Sequence, residues 1–280
     1  VLKLPDLPPH VQMVADEDND RLITSFSLPR RLDQCPTCHG AKQFLFYDDM
    51  RKPIDEREVV HWECACYEQI VLQRYFLNHG IGSAYAQLWW ADAEGVDNAS
   101  QAAGAAYAKD LVRNVDSGIG LYLHGTHGNG KSMLASLLLK MALKTGVDGY
   151  WITLTELLSH YQETWRDKGY RQWFDRRMRN ATMLVVDDMG REYDGRTTAA
   201  STIDTIFRTR AQHGMTTVIT TNLSEDQFTQ RYTKGVTSLV EETCDRIQLT
   251  GPDWRSLLRE RKKIERDLRI DRPFTFGTSR

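Results

Sequence analysis

The run Gly125-Thr126-His127-Gly128-Asn129-Gly130-Lys131-Ser132 constrains this chain more than any other feature. It has the spacing of a phosphate-binding loop, G-x-x-x-x-G-K-[ST], and lies between a strand-like Leu121–His124 and a helix-like Met133–Leu143. Each residue type there answers a charge. Glycines let successive backbone N–H groups turn inward around a β-phosphate, Lys131 sets a cation against the β/γ oxygens, and Ser132 offers a hydroxyl to Mg²⁺. Gly125, Gly128, Asn129, Gly130, Lys131 and Ser132 are therefore the candidate nucleotide contacts, with ATP and Mg²⁺ as the expected cofactors.

Such a loop works inside a strand–loop–helix unit, and the chain repeats that unit. Beyond Gly118, the apolar runs Leu121–His124, Tyr150–Thr153, Met183–Val186 and Thr217–Thr220 alternate with amphipathic, helix-like stretches. The alternation predicts an α/β fold, a parallel sheet with helices on both faces. The Met183–Val186 run leads straight into Asp187-Asp188, the pattern of a buried strand ending in a metal-facing carboxylate. Asp187 is expected to hold Mg²⁺ through water. Asp188 is the candidate to orient or deprotonate the attacking water, and its side chain, shorter than a glutamate's, predicts slow hydrolysis. Asn222, following Thr220-Thr221, could hydrogen-bond a γ-phosphate or its water, although alone it reads as a turn residue.

Four of the five cysteines fall early, as Cys35, Cys38, Cys64 and Cys66, and Cys244 stands apart as a small packed apolar residue. Tight pairs point to a metal rather than to disulfides. In Cys35-Pro36-Thr37-Cys38-His39-Gly40, two intervening residues let both thiolates reach one tetrahedral ion. Cys64-Ala65-Cys66 has only one, which leaves His39 or His61 open as a substitute ligand. A closed four-ligand shell predicts structural Zn²⁺ in a small β module, with strands around Phe44–Tyr47 and Val59–Trp62. Without that staple the module is too small to stand alone.

Subtracting 38 acidic from 36 basic residues leaves −2, which excludes a basic nucleic-acid coat over the whole surface. Any DNA contact must be local. Trp254 to Arg272 carries eight basic and four acidic residues around Leu257, Ile264 and Leu268, and reads as a solvated helix on the core or a phosphate contact. Trp165, Tyr170, Trp173 and Phe174 suit either core packing or base stacking. No apolar run approaches the roughly 18 residues of a membrane span, so no membrane partner is expected. Val1 to Asp20, rich in proline and acid, lacks the pattern of a secretory signal, and the expected location is the cytoplasm. The expected organisation is a leader over 1–30, a zinc module over 31–68 and a linker with helices over 69–117. A nucleotide domain over 118–272 and a tail over 273–280 complete it. Within the linker, Gln69 to Asn78 and Ala102 to Val115 are predicted helices, with Gly80 and Gly82 interrupting.

Taken with Gly125–Ser132, the stretches Val185-Val186-Asp187-Asp188-Met189-Gly190, Val218-Ile219-Thr220-Thr221-Asn222-Leu223 and Asp245-Arg246, then Gly251-Pro252-Asp253-Trp254-Arg255, carry a resemblance. From roughly Ile81 to Arg255 the chain resembles AAA+ ATPases, and among them the DnaC/DnaI-type replicative helicase loaders and their IstB-like transposition relatives. The resemblance implies a five-stranded parallel sheet flanked by helices. It implies Asn222 as sensor 1, Arg246 as an arginine finger lent to a neighbouring subunit, and Arg255 as sensor 2. A guanidinium fork suits those roles because it bridges phosphate oxygens as charge develops on the γ-phosphoryl group. Arg208 or Arg210 could serve in place of Arg246, and Asp245–Arg246 could be a surface ion pair. The implied activity is an assembly-stimulated ATPase that binds a hexameric DnaB-family helicase and places it on single-stranded DNA, self-assembling through the AAA+ domain. Zinc-bearing N-terminal domains dock the helicase in DnaI-like loaders. The alternatives are an IstB-like helper acting with a transposase on duplex DNA, and a zinc-dependent DNA-binding regulator whose loop only binds nucleotide.

Overall fold

The computed structural model describes residues 13–14, 43–47, 52–56, 58–63, 72, 75–86, 88, 90, 98–191, 196–251, 253, 259–260, 263–264 and 267. They belong to two units, one holding a small sheet and the other spanning Tyr75–Ile270. In the first, β1 (Met13–Val14), β2 (Gln43–Tyr47) and β3 (Val59–Glu63) form an antiparallel sheet in that order. Gln43 pairs with Glu63 and Tyr47 with Val59. The aromatic residues of β2 and the paired valines of β3 suit a pleated surface.

The larger unit opens on helical residues 75–78, inside the helix expected over Gln69 to Asn78, and continues with α1 (Ser83–Ala86), α2 (Asn98–Lys109) and α3 (Leu111–Asp116). It continues through β4 (Gly120–Gly125), α4 (Lys131–Lys144), β5 (Gly149–Thr153), α5 (Leu154–Glu163), α6 (Lys168–Phe174) and β6 (Met183–Met189). A turn of π-helix over Asp175–Arg179 joins α6 to the approach to β6. Last come α7 (Arg196–Gln212), β7 (Thr216–Thr221), α8 (Glu225–Arg231), α9 (Lys234–Thr243) and β8 (Cys244–Leu249). The five strands run parallel in the order β5-β6-β7-β4-β8.

Both faces of the sheet are covered, which is why β4, β6 and β7 are buried almost throughout rather than on alternate residues. On one face α4 buries Met133, Leu134, Leu137, Leu138 and Leu139. The other face packs Tyr122, Ile152, Val186 and Ile219 against Leu157, Phe207, Phe228 and Val240 from the later helices. The one strand of the larger unit's sheet that periodicity leaves unmarked is the fifth, β8. As an edge strand it buries only Ile247 and Leu249 fully, so Cys-Asp-Arg-Ile-Gln-Leu never forms an apolar run.

The helix expected from Ala102 to Val115 is two helices, broken at Asp110, which sits at φ −104°, ψ 23°. The Asn114 amide donates to the Tyr107 carbonyl at 3.3 Å, and the Tyr107 hydroxyl donates to the Ile119 carbonyl at 2.7 Å. These side-chain bonds hold the break against the start of β4. Lys140 on α4 is buried and donates to the carbonyls of Tyr85, Ala86 and Leu88, stapling the segment around α1 to the helix that follows the phosphate loop. Among the described residues no helix is long and apolar enough to cross a membrane.

Candidate functional site

The site forms where β4, β6 and β7 end, the edge at which open parallel sheets take their ligands. Gly130 precedes α4 at φ 95°, a backbone region open to glycine, so the loop can close and α4 can present its first N–H groups inward. Lys131 is the first residue of α4 and only 5% exposed. Its Nζ donates to the carbonyls of Gly125 (3.0 Å) and Thr126 (2.7 Å) and to Asn129 Oδ1 (3.0 Å), which curls the cation back over the loop. The Asn129 side chain is fully buried and also donates to the Leu249 carbonyl. Asn129 thus anchors the loop to the end of β8, a role its place among the candidate contacts does not reveal.

The acidic pair is held by two strands and a helix. Ser132 Oγ donates to Asp187 Oδ1 at 2.8 Å, and Thr220 Oγ1 donates to the same oxygen at 2.5 Å while accepting the Asp188 N–H at 3.0 Å. Burial pushes the Asp187 carboxyl upward; the Thr220 and Ser132 hydroxyls oppose that shift and the neighbouring Asp188 charge adds to it. Oxygen donors of this kind suit a hard cation, and Ser132 and Asp187 are the residues that would hold Mg²⁺. Thr220 was visible in the sequence only as a strand-end residue. No local signal marks it as the partner of Asp187.

Asp188 has φ 57° and sits where the β6–β7 register shifts between Val186 and Met189. A non-glycine residue in the left-handed region is strained, and here the bulge turns its carboxylate toward the strand ends. Arg191 Nη1 donates to Asp188 Oδ2 at 3.1 Å, and Asn222 Nδ2 reaches Oδ1 at 3.4 Å. Asp187, Asp188, Asn222, Lys131 and Ser132 therefore converge on one end of the sheet.

The arginines separate. Arg246 lies on edge strand β8, 40% exposed, with Nη1 on Glu225 and Nη2 on Glu241, both at 3.1 Å. Its carboxylate partners are thus on α8 and α9 rather than the adjacent Asp245. Arg208 pairs with Asp204 at 3.0 Å. Arg210 is fully buried, and its guanidinium donates to Thr217 Oγ1 and to the carbonyls of Met178, Ala181 and Thr216. It cannot serve a neighbour, which removes it as a substitute for Arg246. Trp173 and Phe174 pack against the core, whereas Trp165 is 73% exposed. Cys244 is half-buried and its thiol donates to the Thr217 carbonyl at 3.5 Å. Arg255, Cys35, Cys38, Cys64, Cys66 and His39 lie outside the described residues; His61 lies on β3.

Strand order, phosphate loop and paired aspartates define a P-loop ATPase of the AAA+ fold. Residues 106–250, just over half of the chain, match the family model of the IstB-like ATP binding protein, and the chain belongs to that family. Among solved structures it is similar to the crystal structure of the DnaC helicase loader, at 24% identity over 55% of this chain and 92% of that one, with a TM-score of 0.50. A putative primosome component from Streptococcus pyogenes serotype M3 is 21% identical over 62% and 91%, with a TM-score of 0.50. Domain III of the Thermotoga maritima replication initiation protein DnaA is 16% identical over 64% and 73%, with a TM-score of 0.50. At these identities the likeness is one of fold. No curated protein matches the sequence.

Proposed function

We propose that this ATPase is a loader that engages a DnaB-family replicative helicase and places it on single-stranded DNA. The observation that carries the reading is the helical segment between β5 and β6, where exposed Trp165 lies among exposed Arg166, Lys168 and Arg171, with Arg166 and Arg171 also within reach of Glu163 and Asp175. An aromatic platform among cations suits unstacked bases on a charged backbone. In this reading Lys131 meets the β/γ-phosphates, Ser132 and Asp187 hold Mg²⁺, which neutralises charge developing on the phosphates, and Asp188 orients the attacking water. Asn222 is the γ-phosphate sensor, and Arg255 takes the role of sensor 2 that the resemblance implies. Arg246 stabilises the transferring phosphoryl group of a neighbouring subunit. Asp188 is engaged by Arg191 and Asn222, which fits slow turnover in the lone chain and faster turnover on assembly.

The zinc module, over 31–68, is the proposed helicase dock, joined through 69–117 to the ATPase domain over 118–272. Gln43 and Glu63 pair at one end of the β2–β3 ladder, and the chain beyond them carries Cys35–Cys38 on one side and Cys64–Cys66 on the other. That connectivity supports one zinc ion held by the four cysteines, and elemental analysis of protein purified without chelator is expected to find one zinc per chain. Absence of zinc removes this part of the proposal. With Cys35→Ser and Cys38→Ser together, zinc and helicase binding are expected to be lost while ATP binding persists.

Co-purification with the helicase, with the mass of the complex measured, tests the reading. A second reading, favoured by the family match over 106–250, is a transposition helper. Capture of a transposase and duplex DNA, with no helicase bound, replaces the loader by that helper. Full DNA binding with no turnover in the assembled state points instead to a zinc-dependent regulator.

A further inference from the structure

Glu225, the first residue of α8, touches two things at once. Its Oε2 accepts from Arg246 Nη1 at 3.1 Å, and its Oε1 lies 3.5 Å from Nε2 of His124. His124 immediately precedes Gly125, where the phosphate loop begins, and its buried ring stacks on Tyr122 at 5.2 Å. Tyr122 in turn pairs with Arg246 across the β4–β8 ladder. Glu241 of α9 holds the second guanidinium nitrogen.

Half-exposed ion pairs contribute little to stability. A pair of carboxylates gripping one arginine from two helices does, however, fix where its planar fork points. The fork is held on the edge strand with 40% of the side chain exposed, and the same Glu225 lies 3.5 Å from His124, on the strand that leads into this subunit's own phosphate loop. We propose that Glu225 is a positioning residue for ATP hydrolysis in the assembled state, setting the pose in which Arg246 is offered to the neighbouring subunit. This inference rests on the reading of Arg246 as a trans-acting arginine.

The test uses full-length variants in DNA-promoted assemblies. Glu225→Ala is expected to keep its thermal unfolding midpoint and its KM for ATP while kcat falls by about tenfold, since misaimed catalytic groups cost rate rather than ground-state binding. Glu225→Gln, which can still accept from Arg246, should retain part of the rate. His124→Phe keeps a ring on Tyr122 but removes Nε2, and is expected to lower kcat in the same direction.

Mixing decides where Glu225 acts. A Glu225→Ala subunit keeps an intact pocket but lends a misaimed arginine, so it should regain turnover when mixed with Lys131→Ala, which lends a sound one. Mixed with Arg246→Ala it should regain none. Recovery with Arg246→Ala, or loss of KM and unfolding midpoint together, overturns the proposal by placing Glu225 in its own pocket or in the fold. The control mixture of Arg246→Ala with Lys131→Ala tests the underlying reading separately. If that pair shows no more turnover than either variant alone, while wild-type subunits remain active at equal dilution, the trans role itself falls.

Discussion

Lys131→Ala is expected to weaken MgATP binding by about a hundredfold or more and to remove measurable turnover. A hydrogen bond to a charged group contributes about 1.5–3 kcal/mol, and Lys131 is placed to supply two such contacts to the β/γ-phosphates; each 1.4 kcal/mol is about tenfold in Kd. The fold should survive, because α4 is held by Leu134, Leu137, Leu138 and Leu139 rather than by the lysine head group. The amine does bind the Gly125 and Thr126 carbonyls, so the loop loses an internal tie. Calorimetric titration with nucleotide, paired with thermal unfolding, separates the two effects. Unchanged affinity in a folded variant removes the phosphate-loop assignment.

The largest effect on stability is expected at Arg210. Its guanidinium joins the end of α7 to the beginnings of β6 and β7, donating to the Ala181 carbonyl at 2.7 Å, the Thr216 carbonyl at 2.5 Å and Thr217 Oγ1 at 3.0 Å. Burial pushes this arginine down to about 9, which leaves it cationic at neutral pH. Arg210→Met fills much of the volume but strands several buried carbonyls without a donor. Each buried carbonyl left without its donor costs about 1–3 kcal/mol, so losing several together costs about 3–5 kcal/mol. For a unit of this size that lowers Tm by on the order of 10 °C. Arg210→Lys should recover only part, since one ammonium cannot reach both strand ends as a planar fork does. ATP binding at low temperature should persist, because these contacts lie at the opposite end of the strands from Asp187 and Thr220. A wild-type Tm in Arg210→Met would show that the carbonyls find other donors.

Local chemistry made much of the site legible. A phosphate loop is contiguous because successive N–H groups must line one anion, so Gly125 to Ser132 can be recognised in place. The Asp187-Asp188 pair is legible for a related reason: a buried strand must be apolar until it reaches the edge where charge is tolerated. The same logic exposes the four apolar strands. Edge strand β8 escapes it, since a half-exposed strand alternates with polar residues; the resemblance implies a fifth strand but does not mark Cys244–Leu249 as that strand. The broken helix at Asp110 escapes it too, because Asn114 and Tyr107 close the break through contacts that periodicity does not encode.

The sequence by itself thus determined the nucleotide chemistry, the parallel α/β architecture and the identity of the residues at the strand ends. Tertiary structure alone decided how those residues are held. Thr220 grips Asp187 from 33 residues away, and Asn129 reaches Leu249 across 120. Arg210 and Arg246, both candidate fingers in the sequence, differ only in surroundings: one is walled in by strand-end carbonyls, the other stands on an open edge between Glu225 and Glu241. The physical reason is range. Backbone pattern and phosphate recognition act over a few neighbouring residues, whereas burial, partner choice and exposure of a charge depend on which distant segments the folded sheet brings together.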